Sequence, residues 1–172
     1  MTPLSPQEKT WINQLESNNP ATIMIAIKEI RHHGNIRMLP YLFLLVQPAT
    51  NPVIRESILL LVTEIKTQDA VPVIVDNLER LEGVPDFTRF VAACWQSALD
   101  FSDHLPAFIR IFAKGDYQTA VEAFSVIEES LLNANERMQK KCLQLLENSA
   151  DQISEEKYLL YRELLKVVSG SF

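Results

Sequence analysis

His32 and His33 are the residues of this 172-residue chain best suited by type to hold a metal or relay a proton. A helix that binds zinc through two histidines spaces them four apart, so that both rings face one ion, whereas neighbours point about 100° apart. The third histidine, His104, lies far along the chain. His32 and His33 stand just before Gly34, at the carboxyl end of an apolar-periodic segment, where a protonated imidazole interacts favourably with the helix dipole. Glu128-Glu129 and Glu155-Glu156 are the paired carboxylates. General acid–base chemistry needs two carboxyl groups converging on a cleft with separated pKa values, and neighbours on a helix diverge. Glu155 and Glu156 follow Ser154 and suit the first turn of a final helix, where negative charge meets the positive end of the dipole.

Nucleophiles are equally sparse. Cys94 and Cys142 lie 48 positions apart in apolar helical surroundings, with no CxxC pair, and read as buried free thiols. A spatial pairing of Cys94 with His104 stays open. No G-x-S-x-G elbow, P-loop, dinucleotide fingerprint or EF-hand loop occurs. No catalytic residue, cofactor or metal is expected, and the chain reads as no enzyme.

Hydrophobic residues make up 47% and charged residues 22%, which places the chain among globular proteins rather than disordered or membrane-spanning ones. Its length suits one domain spanning 1–172. The longest apolar run, Met38 to Val46, is broken by Pro40 and is about half of the roughly 20 residues that cross a bilayer. The amino terminus lacks the basic-then-apolar layout of a signal peptide, so a cytoplasmic protein with no membrane partner is expected. The net charge of -6 argues against a nucleic-acid partner. The charge is uneven: Asp69 to Glu129 holds eleven acids against four bases, a local net of -7.

The elements that must position any site are helices. Apolar residues recur at three and four, as in Ile23, Ala26, Ile27, Ile30 and in Val71, Ile74, Val75, Leu78, and no period of two is sustained. Pro6, Pro20 and Pro52 follow Ser5, Asn19 and Asn51, each a good N-cap, and Ser5-Pro6-Gln7-Glu8 has the capping-box spacing. Gly34, Gly83 and Gly115 each end a segment, as left-handed closing residues would. The spacing predicts about ten helices, over 5–18, 20–33, 37–48, 52–66, 69–83, 86–100, 103–114, 116–132, 135–149 and 154–168. Connections of two to five residues make successive helices antiparallel neighbours.

A repeat underlies this order. Pro20 to Pro40 and Pro52 to Pro72 are each 20 positions apart and Pro85 to Pro106 is 21, with start-to-start steps of 32 and 33. Met38-Leu39-Pro40-Tyr41-Leu42, Ala70-Val71-Pro72-Val73-Ile74 and His104-Leu105-Pro106-Ala107-Phe108 share one pattern. A fourth copy starts near Tyr117 and reaches its second helix at Met138. Paired helices, a proline early in the second, small residues such as Ala26 and Ala92 in the first, and turns at Asp69 and Asp103 together resemble HEAT repeats of the short bacterial type, over roughly Asn19 to Ala150. The resemblance implies an all-α, right-handed, armadillo-like α-solenoid of about four pairs (20–48, 52–83, 86–114, 116–149) with capping helices 5–18 and 154–168. The arginine that such repeats often place six residues after the turn aspartate is replaced here by Val75 and Ile109.

In that frame the second helices line a concave partner-binding face. With Leu39, Leu42 and Val46 turned to the core, Arg37, Tyr41 and Leu44 face outward, and the equivalent positions give Asp76 and Arg80, then Arg110 and Lys114, then Lys140. This mostly basic stripe suits an acidic or aromatic-bearing peptide. The function expected is a non-enzymatic scaffold or adaptor for a protein or peptide. Two other readings stand beside it: a HEAT-like enzyme or nucleic-acid-binding protein, for which Asp76 beside Arg80 is the nearest acid-in-basic-cleft arrangement, and a regulatory subunit that self-associates into a homo-oligomer.

Overall fold

The computed structural model describes residues 3–33 and 35–170, and every regular element among them is helical. Ten α-helices follow one another: α1 (Pro6–Leu15), α2 (Pro20–His33), α3 (Leu39–Leu44), α4 (Pro52–Glu64), α5 (Ala70–Leu81), α6 (Phe87–Gln96), α7 (Leu105–Lys114), α8 (Tyr117–Leu131), α9 (Glu136–Asn148) and α10 (Tyr158–Ser169). The polar N-caps work as their residue types require. Ser5 and Glu8 form a reciprocal capping box, and the side chains of Asn19 and Asn51 accept from the backbone N–H groups of Ala21 and Val53 at 2.9 Å.

Several helices are shorter than their apolar patterns: the segment expected as 5–18 is Pro6–Leu15, that expected as 86–100 is Phe87–Gln96, and two others open with 3-10 turns. The segment expected as 37–48 is a 3-10 turn, Ile36–Met38, followed by only six residues of α3. Pro48 disfavours the α region for Gln47, and the helix stops at Leu44, leaving residues 45–51 as a loop. The last segment opens with a 3-10 turn, Glu155–Lys157, before α10, and its last residue, Lys157, is buried.

The glycines divide by cause. Gly83, after α5, has φ +88° and closes the segment as expected, whereas Gly34 lies outside the described residues. Gly115 corrects the expectation: its φ is -65° and ψ 164°, which any residue adopts. Space dictates glycine there, since an added Cβ would lie 2.8 Å from the Ile111 carbonyl oxygen and 2.9 Å from the Thr119 side chain. The left-handed residue after α6 is Ala98, with φ 57°.

The chain divides into two compact units, Met1–Phe87 and Thr88–Phe172, the division falling at the first residue of α6. In the first unit α1 packs on α2 and α3, α2 on α4, and α3 on α5. In the second, α7 packs on α8 and α9, and α10 on α8 and α9. Within each unit a helix therefore touches the one two places further along, which is how helix pairs bury apolar faces that a single pair leaves exposed.

Burial repeats with the sequence period. Met38, Leu39, Leu42, Phe43 and Val46 are buried, and so are the residues thirty-two positions on, Ala70, Val71, Ile74, Val75 and Leu78. Thirty-four further on, Leu105, Phe108, Ile109 and Phe112 are buried in turn. Val75 and Ile109, which stand where a ladder arginine was looked for, are core residues. Polar stitches sit on the first helices instead. Arg31 of α2 holds both carboxylate oxygens of Glu64 on α4, and Ser57 Oγ lies 3.6 Å from Met24 Sδ. In the second unit the hydroxyls of Thr88 and Thr119 are 2.6 Å apart, Trp95 Nε1 donates to Glu122 at 2.7 Å, and the Phe101 N–H donates to Ser130 Oγ at 3.2 Å. Most of these partners are 29 to 33 residues apart, close to one repeat.

With so few glycines, helix carboxyl ends are completed by side chains from elsewhere. Arg55 donates to the carbonyls of Gln47, Pro48 and Thr50 in the loop after α3, and to Asp86 at 2.6 Å. Gln139 donates to the Leu131 carbonyl at the end of α8 and to the Ala134 carbonyl beyond it, and Tyr161 to that of Leu146 in α9. Lys157, 3% exposed, gives its ammonium to the carbonyls of Phe112 (3.2 Å), Ala113 (2.7 Å) and Gly115 (2.7 Å) at the end of α7. Phe112 and Ala113 supply the orphan acceptors that a helix leaves in its last turn, and a cation there also meets the negative end of the dipole.

Candidate functional site

In the first unit the outward side of the second helices is carried by α3 and α5, which pack together. Leu44 is 55% exposed, Tyr41 is half-buried, and Asp76 and Arg80 are exposed one turn apart on α5. Arg37 has a structural bond as well. Its guanidinium donates to Glu8 at 3.3 Å, and Glu8 is buried while accepting from the Ser5 N–H (2.7 Å) and from Asn35 Nδ2 (3.0 Å).

The Ser5 backbone bond foremost, then Asn35, holds the Glu8 carboxyl below its ordinary value of 4.5. Asp116, the N-cap of α8, is likewise held below 3.8 by the Thr119 N–H (2.8 Å) and hydroxyl. Each group binds fewer protons folded than unfolded, so its contribution is complete above its unfolded pKa and is lost as pH falls through the lower folded one. Thermal unfolding followed by circular dichroism should give a melting temperature nearly flat down to about pH 5 and falling steeply below about pH 4. Glu8→Gln should be less stable at neutral pH and lose less on acidification.

In the second unit, α7 carries Arg110 and Lys114, and α9 carries Lys140; all three are exposed and the two helices pack together. The burial pattern assigns their register. Leu44, Asp76 and Arg110 occupy one position of successive second helices, and Arg80 and Lys114 another. In the fourth copy those positions are held by Gln144 and Asn148, because Gln139, Cys142 and Leu146 form its buried side. Lys140 stands one turn nearer the amino end, where it lies 3.8 Å from Glu136.

Two exposed bases on the same helix, Arg137 and Lys141, were not singled out from the sequence. The charge contrast between adjacent helices was available to find them. The α7 and α9 segments carry five bases against two acids, while α8 carries three acids and no base.

The first unit also has a cleft of about 300 Å3 where the end of α4 meets the turn before α3. Ile36, Leu39, Leu61 and Ile65 line it, and Arg31 with Glu64 forms its polar edge. Residues weighed for chemistry are placed elsewhere. The His33 ring lies 5.5 Å from that of Trp11, with Nε2 3.6 Å from Glu29. Cys94 is buried, its Sγ donating to the Phe90 carbonyl, and burial pushes its thiol far up. Burial pushes Cys142 up to about 11, so neither thiol supplies a thiolate near neutral pH. Among the described residues no group of three or more His, Cys, Asp or Glu is placed to hold a metal ion, and no helix is long and apolar enough to cross a membrane.

The chain matches no protein-family model, no curated protein and no solved structure.

Proposed function

We propose that this protein is a non-enzymatic scaffold built of HEAT-like helix pairs stacked as an α-solenoid, and that it binds a protein or peptide through the outward sides of its second helices. The observation that carries the reading is the burial period. The same positions of successive second helices are buried, and the same intervening ones, Leu44, Asp76 and Arg110, then Arg80 and Lys114, are exposed. Repetition of an exposed position leaves each copy free to vary its chemistry without disturbing the core, as a binding array requires.

The test compares proteins retained from the source organism's lysate by immobilised wild type with those retained by Leu44→Asp/Arg80→Glu and by Arg110→Glu/Lys114→Glu. Quantitative mass spectrometry should find the same retained proteins reduced by about tenfold with at least one of these variants, and not with Lys28→Glu on the first helices. A retained set that none of the outward-side variants alters would overturn the reading.

A further inference from the structure

We infer that the outward side of α7 and α9 is a docking surface for a short acidic segment of a partner protein. The inference rests on the scaffold reading and narrows it to one pair of helices and one ligand chemistry.

Arg110 and Lys114 on α7, with Arg137, Lys140 and Lys141 on α9, put five exposed bases on two helices in contact. Their exposed acids are Glu136 and Glu147, and Glu136 is engaged by Lys140 only at 3.8 Å, with the two side chains 85% and 68% exposed. Such an exposed pair contributes little and exchanges readily for a better-placed carboxylate. This local excess of positive charge sits on a chain whose net charge is -6, beside α8 with Glu122, Glu128 and Glu129 and no base.

Size decides between classes of polyanion. Arg110 to Lys114 and Arg137 to Lys141 each span about 6 Å at 1.5 Å rise per residue. In the register given above the α9 bases stand nearer the amino end than Arg110 and Lys114 do, so on axes about 8–10 Å apart the five bases cover an area roughly 16 Å long. That accommodates two or three carboxylates. A duplex needs a longer track of phosphate contacts, and beyond the patch it would meet acids that are felt over a Debye length of about 8 Å. Arg137 on α9 adds a planar fork that pairs with a carboxylate through two N–H groups.

Fluorescence anisotropy tests the surface with three labelled probes in physiological salt: a short peptide alternating glutamate with leucine, the same peptide with glutamine for glutamate, and duplex DNA. The glutamate peptide should bind at least about tenfold tighter than the glutamine peptide, and weaken as salt rises. Lys140→Glu/Lys141→Glu and Arg110→Glu/Lys114→Glu should each remove that preference. Lys9→Glu/Lys28→Glu, with the same change in net charge, should leave it intact.

Equal binding of the two peptides, equal loss in the control variant, or tighter binding of DNA would each overturn the inference. Lysate capture separates its failure from that of the scaffold reading. If retained proteins depend on Leu44 and Arg80 but not on the α7 and α9 bases, the acidic-segment inference falls and the scaffold stands. If they depend on neither, both fall.

Discussion

Lys157→Met should lower the folding free energy by about 2–3 kcal/mol, since hydrogen bonds to a charged group are worth about 1.5–3 kcal/mol and buried acceptors left bare carry their full desolvation cost. Methionine keeps the length and apolar stem of lysine, so packing is nearly conserved and the loss reports the ammonium itself. Its three acceptors are the last-turn carbonyls of α7 and the carbonyl of Gly115. Urea unfolding followed at Trp95, which belongs to the same unit, measures the change. Lys157→Arg should recover little of it, because a planar fork does not reproduce three bonds converging on one nitrogen. A loss below about 1 kcal/mol would mean that water replaces the ammonium without difficulty.

Arg55→Met should cost a similar amount, about 2–4 kcal/mol, by removing one partner of a largely buried pair. Arg55 is 8% exposed, its Nε is 2.6 Å from Asp86, and its other donors hold the loop after α3. A double-mutant cycle with Asp86→Asn separates the two roles. If the carboxylate pair dominates, the second substitution costs little once Arg55 is gone. If the loop carbonyls dominate, Arg55→Met remains expensive in the Asp86→Asn background, and loop residues such as Thr50 should lose hydrogen-exchange protection in either background. By contrast, Arg31 and Glu64 are both about half exposed, so cutting that stitch should be nearly silent.

The helices were legible because two kinds of signal agreed. Apolar residues at three and four marked the interiors of α2, α4 and α5, while Asn19-Pro20 and Asn51-Pro52 marked where two of them begin. The early end of α3 was also written in the chain, since Pro48 acts on Gln47, but the apolar run from Leu42 to Val46 outweighed it in a reading by periodicity. Gly115 was misread for a physical reason. Its identity answers to the nearness of Ile111 and Thr119, each four positions away and brought close by the path of the turn between α7 and α8, which residue types alone do not show.

The same holds for Arg55, Gln139 and Lys157. Each looks like one more polar residue near a helix start; Arg55 and Gln139 are buried against carbonyls five to eight residues earlier, and Lys157 against carbonyls 42 to 45 residues earlier. On the outward sides, exposure of Asp76, Arg80, Arg110 and Lys114 follows from the register of the apolar residues, which the period supplied. The fourth copy has no proline to fix that register, and Arg137 and Lys141 escaped notice with it.

Lys157 also bears on the order in which the chain can complete itself during synthesis. Its acceptors precede it by 42 to 45 residues, so α7 leaves the ribosome well before the group that finishes its carboxyl end has been made. At about 5–20 residues per second that interval lasts on the order of two to nine seconds. For that time the segment around Phe112 has acceptors held only by water beside an apolar face, which gives a chaperone reason to cover this nascent stretch.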